Sequence, residues 1–257
     1  MYLLIDWGNT QLKYLLVEEL SELREKAVIQ IADSIASCLA SCEKKLNGQY
    51  LKDVLIASVR SDQDNKQLKE QLSKLSWNYY FARSSARACG VQCAYQNPTR
   101  LGVDRWLTII SAHENNKNVG ILDIGTAIKL DIVDGEGRHL GGHIIPGKML
   151  MRDSLLNTAR VRAKGELAVE EEFSLGSSTE ECVEFGIEQS ISAYLINSIK
   201  QATSQYQIDS WLLSGGGSEY WYKPVKKQLD KLSNCSLSRK PLLVFDGLVK
   251  LYSENEA

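Results

Sequence analysis

The apolar positions of the chain fall into two short runs that break in the same way. Leu3 to Thr10 reads LLIDWGNT and Ile121 to Ala127 reads ILDIGTA. Each pattern predicts a buried strand that stops at Asp-x-Gly, followed by a small amide or hydroxyl residue. The first continues as QLKYLLVEEL from Gln11, a mixed pattern suited to a return strand. The second continues as IKLDIVDGEGRHLGGHIIPG from Ile128, where Asp134-Gly135 and Gly137 between apolar stretches mark a hairpin. The chain thus reads as two related halves, each opening with a strand, a glycine turn and a return strand.

Between these openings the pattern predicts a helix near Ser34 to Leu46, a strand at Val54 to Ser58, a helix near Asn65 to Leu75, and a strand near Trp77 to Ala82. A helix over Asp104 to Glu114 ends in the polar run Asn115 to Asn118, which sets a boundary between residues 1–116 and 117–257. In the second half Met149 to Thr158 is expected to be helical. Val183, Ile187, Ile191, Tyr194 and Leu195 repeat at helix spacing, with Ser178 and Glu181 placed as a capping box. A strand at Trp211 to Leu213 runs into Ser214-Gly215-Gly216-Gly217, and a helix is expected across Val225 to Leu232. The order describes an α/β protein with helices packed on mixed sheets.

Composition narrows the class further. The 257 residues are 44% hydrophobic and 24% charged, which excludes a wholly disordered, collagenous or membrane-embedded chain. With 30 Lys+Arg against 32 Asp+Glu the net charge is -2, so no general attraction to nucleic acid or an anionic membrane is expected. The start MYLLIDWGN lacks a basic region and meets a charge at Asp6, so it does not read as a secretory signal, and a cytoplasmic location is expected. The six cysteines include two CxxxC pairs, Cys38/Cys42 and Cys89/Cys93, at neither zinc-ribbon nor thioredoxin spacing, and read as reduced structural thiols.

Three places carry candidate chemistry. A carboxylate at a strand end, facing a glycine turn with free backbone N–H groups, can hold a hydrated divalent cation while the turn and Asn9 or Thr10 bind a phosphate. Two such turns could grip a nucleoside triphosphate from both sides; each alone reads as a plain turn, and it is their repetition that brings the phosphate reading level with it. In LGVDRW, Leu101 to Trp106, Asp104 could accept a proton from an attacking hydroxyl and Arg105 could neutralise an anionic substrate. The competing reading is a helix-start aspartate beside a surface arginine. His139 and His143 lack metal spacing with any third ligand and read as structural or surface residues. Gly215 to Gly217 suits either adenine packing or strand termination, and Lys223, Lys226, Lys227 and Lys231 form a solvated basic helix face.

Taken together, Asp6-Trp7-Gly8-Asn9-Thr10, Gly102-Val103-Asp104-Arg105-Trp106, Asp123-Ile124-Gly125-Thr126-Ala127 and Gly141-Gly142-His143-Ile144-Ile145-Pro146-Gly147 resemble the motifs of type III pantothenate kinases, in order and approximate spacing. Gly176 to Thr179, Ser214-Gly215-Gly216 and Pro241 to Leu248 extend the resemblance over nearly the whole chain. It implies the duplicated sugar kinase, actin and chaperone ATPase fold, of ribonuclease H-like halves. It also implies ATP-dependent phosphorylation of pantothenate to 4'-phosphopantothenate, the first step of coenzyme A biosynthesis, by a homodimer needing Mg2+ or another divalent cation and K+ or NH4+.

By position, the resemblance assigns Asp6 to Mg2+ and the phosphates, Gly8, Asn9, Thr10, Lys13 and Thr126 to ATP, and Asp123 to the monovalent cation. It assigns Gly102, Val103, Asp104 and Arg105 to pantothenate, with Asp104 as proton acceptor and Tyr95 and Thr179 as further contacts. The chain departs from the family at Lys129, where a threonine is usual; the lysine is either an outward-facing strand residue or an added charge beside the expected cation position. The alternatives are another small-molecule kinase of the same superfamily, which would not share the segment around Asp104, and a non-catalytic accessory factor in transcription, which would need a basic DNA-binding unit.

Overall fold

The structure, a computed structural model, describes residues 1–23, 28–158, 174–231 and 235–256. Two compact units emerge. One comprises Met1–His113, Glu136–Leu140 and Leu242–Ala257, and the other Glu114–Gly135 and Gly141–Pro241. The second unit therefore begins beside the polar run at 115–118, while the closing helix of the chain folds with the first unit.

In the first unit β1 (Tyr2–Trp7), β2 (Leu12–Val17), β3 (Gln30–Ala32), β4 (Asp53–Ser58) and β5 (Tyr79–Phe81) form a sheet in the order β3-β2-β1-β4-β5. β2 runs antiparallel to β1 and β3, and β4 runs parallel to β1 and β5. An apolar run rather than strict alternation is what a strand covered on both faces requires. Leu3, Ile5, Val54 and Ile56 join one core with Leu39 and Leu46 of α1 (Ile35–Leu46) and Leu68 and Leu72 of α2 (Asp62–Lys74). The buried Leu4 and Leu55 alternate with them, and β1 and β4 also contact α7 (Leu243–Glu256). Helix α3 (Val103–Ala112) packs on α7 so closely that a Cβ on Gly247 would lie 2.0 Å from the Leu107 carbonyl oxygen. A small ribbon, β6 (Arg87–Ala88) with β7 (Val91–Gln92), precedes α3.

The second unit repeats the plan. β8 (Val119–Ile124), β9 (Ala127–Val133), β10 (His139–Pro146), β11 (Ser210–Ser214) and β12 (Ser236–Arg239) lie in the order β10-β9-β8-β11-β12. Again the second strand is antiparallel to the first, and the fourth parallel to the first and fifth. Its helices are α4 (Lys148–Thr158), α5 (Thr179–Tyr206) and α6 (Ser218–Leu229). Ile187, Ile191, Leu195, Ile199 and Ala202 form the stripe by which α5 joins the core with Leu122, Leu130, Trp211 and Leu213. Each large aliphatic side chain so buried contributes about 1.5–3 kcal/mol. Trp211 lies over Gly120, where a Cβ would meet its ring at 2.5 Å, and its Nε1 donates to Thr203 Oγ1 at 3.0 Å.

Several elements depart from the sequence-based expectation for local reasons. α2 starts at Asp62 rather than Asn65 because the polar Ser61 caps it, accepting from the Asp64 N–H at 3.1 Å. α6 starts seven residues before Val225 and carries Pro224 inside, because Trp221, Val225 and Leu229 bury one face across the proline. The expected end of that helix, Leu232, lies outside the described residues. The Ser178 and Glu181 capping box forms as expected.

Candidate active site

The first turn grows from the end of β1. Asp6 is half-buried there, opposite Lys13 on β2 and Ala57 on β4. The Gly8 N–H donates to the Gln11 carbonyl at 3.0 Å and closes the turn, leaving Asn9 and Thr10 exposed at its tip. Arg60, just beyond β4, was not among the residues singled out in the sequence. Its Nη1 donates to the Asn9 carbonyl at 3.2 Å, its Nε donates to Asp64 Oδ2 at 3.1 Å, and its guanidinium stands 5.6 Å from the Trp7 ring centroid. A fixed cation thus supports the first turn. The sequence shows Arg60 only as the residue after the apolar run 54–59; that this run ends beside β1 is seen in the parallel register.

The second cluster of the first unit gathers around the start of α3. Gly102 is its N-cap, and a Cβ there would lie 2.6 Å from Asp104 Oδ1, so the half-buried carboxylate curls back over the cap. Carboxylates are favoured beside the unpaired N–H groups of a helix start. Arg105 is 4% exposed, which overturns the surface-arginine reading. Its Nη1 donates to the Tyr95 hydroxyl at 2.9 Å, and the guanidinium lies 5.8 Å from the Tyr95 ring centroid. Tyr95 stacks in turn on the buried His139, with ring centroids 6.4 Å apart and planes at 17°. His139 is thus a buried residue at the back of Tyr95 rather than a surface one.

The second turn joins β8 to β9. The Gly125 N–H donates to the Ala127 carbonyl at 3.1 Å, and the Gly147 N–H to the Thr126 carbonyl at 2.9 Å. Asp123 lies directly opposite Lys129, whose Nζ donates to Asp123 Oδ2 at 2.8 Å. Lys129 is therefore directed at the carboxylate rather than at solvent. On the other side, Gly215 has φ +82, and a Cβ there would lie 2.6 Å from Asp123 Oδ1 and 2.4 Å from the Ile124 carbonyl oxygen. The Gly217 N–H donates to that carbonyl at 2.8 Å. The glycine run thus clamps the end of β8. Thr179 is exposed at the first position of α5. Just before it, the Ser177 N–H and hydroxyl hold the Glu181 carboxyl below its usual range.

Among the described residues no three His, Cys, Asp or Glu side chains gather as a metal cluster. Magnesium needs no such cage, since it takes one or two carboxylates and keeps water and phosphate oxygens. Asp6 beside the Gly8 turn fits that donor set. Asp123 does not fit a potassium ion on Oδ2, because the Lys129 ammonium is bonded there. The described cysteines are all free. Burial, then the Glu254 carboxylate, pushes the Cys89 thiol up to about 11, so it is no nucleophile at neutral pH.

The doubled five-stranded plan has solved counterparts. A Campylobacter jejuni protein assigned to the Baf family of transcriptional activators aligns with TM-score 0.55 and 20% identity over 99% of this chain and 98% of that one. A ROK family glucokinase from Streptomyces griseus aligns with TM-score 0.50 and 11% identity over 100% and 99%. These likenesses speak of fold alone and define the class, a duplicated α/β fold shared with sugar kinases.

Within that class the chain belongs to the type III pantothenate kinase family, whose model matches residues 2–201. Type III pantothenate kinases from Marinomonas sp. (strain MWYL1) and Ectopseudomonas mendocina (strain ymp) are 35% and 33% identical to it. The alignments cover 84% of both chains in the first case, and 96% of this chain and 97% of the relative in the second. The relative from Acinetobacter baumannii (strain ACICU) is 30% identical, covering 87% and 88%.

Proposed function

We infer that this chain is a pantothenate kinase, transferring the γ-phosphoryl group of ATP to the pantothenate alcohol to give 4'-phosphopantothenate at the start of coenzyme A biosynthesis. Family membership supports the reaction. The observation that carries the substrate is the α3 start, where Asp104 precedes the buried Arg105, which is bonded to the half-buried Tyr95. Pantothenate offers a primary alcohol and a carboxylate, and this cluster offers a proton acceptor and a fixed guanidinium.

Phosphoryl transfer passes through a loose transition state, so alignment and charge stabilisation do most of the work. Asp104 orients the attacking hydroxyl and takes its proton as the new P–O bond forms and the bond to ADP breaks. Arg105, held by Tyr95, binds the pantothenate carboxylate, with Gly102, Val103 and Thr179 completing the substrate contacts. Gly8, Asn9, Thr10, Lys13 and Thr126 contact ATP. Asp6 holds the divalent cation, which neutralises phosphate charge when bound.

The test is ATP-dependent phosphorylation of pantothenate by the wild type and Asp104→Asn. Loss of the base is expected to lower kcat by about 10²-fold or more, with KM for pantothenate little changed. An undiminished kcat overturns the assignment of Asp104. Absence of turnover in the wild type, joined to salt-sensitive DNA binding, would favour a transcriptional role instead.

A homodimer and a cytoplasmic location belong to the same proposal. No helix among the described residues is long and apolar enough to cross a membrane. Met149, Leu150 and Leu155 of α4 are 47%, 43% and 38% exposed, and α4 and α5 line a cavity of about 950 Å³. Apolar side chains so displayed suit a contact between copies, and sedimentation as a monomer would remove that part of the proposal.

A further inference from the structure

Asp123 is the carboxylate at which family resemblance expects a monovalent cation, and in this chain that position is built differently. Asp123 and Lys129 are cross-strand partners, and the Lys129 ammonium lies 2.8 Å from Oδ2. The side chains are 15% and 19% exposed respectively, so the pair is largely withdrawn from solvent. Oδ1 faces the backbone of Gly215, where even a methyl group would come within 2.6 Å. The carboxylate is therefore held between a lysine and a glycine turn, at the end of the strand that leads into Gly125 and Thr126.

We propose that Lys129 is a built-in monovalent cation: its ammonium supplies beside Asp123 the single positive charge that a potassium or ammonium ion would otherwise bring, so that turnover needs no added monovalent cation. The inference rests on the kinase reading of the site. The chemistry matches on three counts. A lysine side chain ends in a substituted ammonium, carrying the same charge as either ion. It presents three N–H donors, of which one goes to Asp123. A second cation against the same oxygen would sit within a few ångströms of Nζ, where like charges in a half-buried site repel strongly. A tethered cation also needs no capture from solution, since its ordering is fixed when β8 and β9 pair. The competing account is a strand pair with no bearing on the phosphate turn, and the two accounts separate by experiment.

Wild type, Lys129→Thr and Lys129→Arg are assayed for ATP-dependent phosphorylation in potassium, ammonium, sodium and choline chlorides at equal ionic strength. Thermal unfolding is followed in the same four salts. Wild-type turnover is expected to vary by less than about twofold between potassium and choline, with Tm equal within about 1 °C. Lys129→Thr is expected to lose about tenfold or more in choline, to recover in potassium or ammonium, and to gain about 2 °C or more in Tm from potassium. Lys129→Arg, which keeps the charge, is expected to stay independent of the salt.

Tenfold stimulation of the wild type by potassium, or a potassium-dependent rise in its Tm, would overturn the proposal. So would a Lys129→Thr protein indifferent to potassium in both measurements. If the wild type phosphorylates nothing in any salt, the kinase reading fails while the unfolding series still decides the ion. If Lys129→Thr does not fold in choline, its folding in potassium but not in sodium equally supports the proposal, and failure to fold in every salt makes the pair structural and overturns it.

Discussion

The two glycine turns share a plan and differ in how they are closed. In both, an aspartate near the end of the first strand faces a lysine on the second, Asp6 with Lys13 and Asp123 with Lys129. The first turn spans residues 8–11, between Trp7 and Leu12, and exposes Asn9 and Thr10. The second spans only 125 and 126, between Ile124 and Ala127; Gly147 donates to Thr126 of the turn, and the strand leading into it is held by Gly215 and Gly217. The topology is repeated and both turns expose their tips, but the strand end behind the second is packed against a glycine run, which the first lacks among the described contacts. The packed strand end behind the second turn should therefore fail in folding, and the exposed first turn in chemistry.

The largest expected effect is on folding. Gly215→Ala places a Cβ 2.4 Å from the Ile124 carbonyl oxygen and 2.6 Å from Asp123 Oδ1, at a φ of +82 that side chains rarely adopt. Overpacking and backbone strain together should cost about 3 kcal/mol, lowering Tm by about 6–12 °C. Calorimetry showing an unfolding midpoint near the wild type would mean that the joint is looser than its geometry states.

Next comes chemistry at the other turn. Asp6→Asn keeps the shape and removes the charge, so turnover should fall by about 10²-fold while Tm moves by less than about 3 °C. Matched unfolding and steady-state assays check both halves of that expectation. A loss of stability as large as that of Gly215→Ala would erase the contrast between the turns.

How much of this was legible in the sequence depends on the range of the interaction. The paired turns, β1, β8 and the α5 stripe were readable because each is set within a dozen residues by apolar spacing and glycine. β3 and β12 were not, since three and four residues with no buried alternation carry no periodic signal. The return of α7 to the first unit depends on Gly247 meeting Leu107, a contact that no local pattern encodes. In the site, the α3 segment was legible as chemistry, but the burial of Arg105 against Tyr95 and His139 was not. Lys129 could be marked as unusual from sequence, yet its bond to Asp123 required the strand register.

The smallest effect discriminates most finely. Gly125 is the one glycine of the second turn around which the backbone leaves room: a Cβ there would have the Ala127 carbonyl oxygen as its nearest neighbour, at 3.9 Å, an ordinary contact. Its φ lies outside the left-handed region, so folding gives no reason for glycine. Alanine should leave Tm unchanged or raise it slightly, since it restricts the unfolded chain by about 0.4–1 kcal/mol. If the missing side chain instead lets a phosphate approach the turn backbone, Gly125→Ala should lower kcat/KM for ATP by about tenfold, near the 1.4 kcal/mol of one weakened contact. Full activity with full stability would show that no ligand comes close to Gly125, and would leave Thr126 to carry the nucleotide contact of the second turn alone.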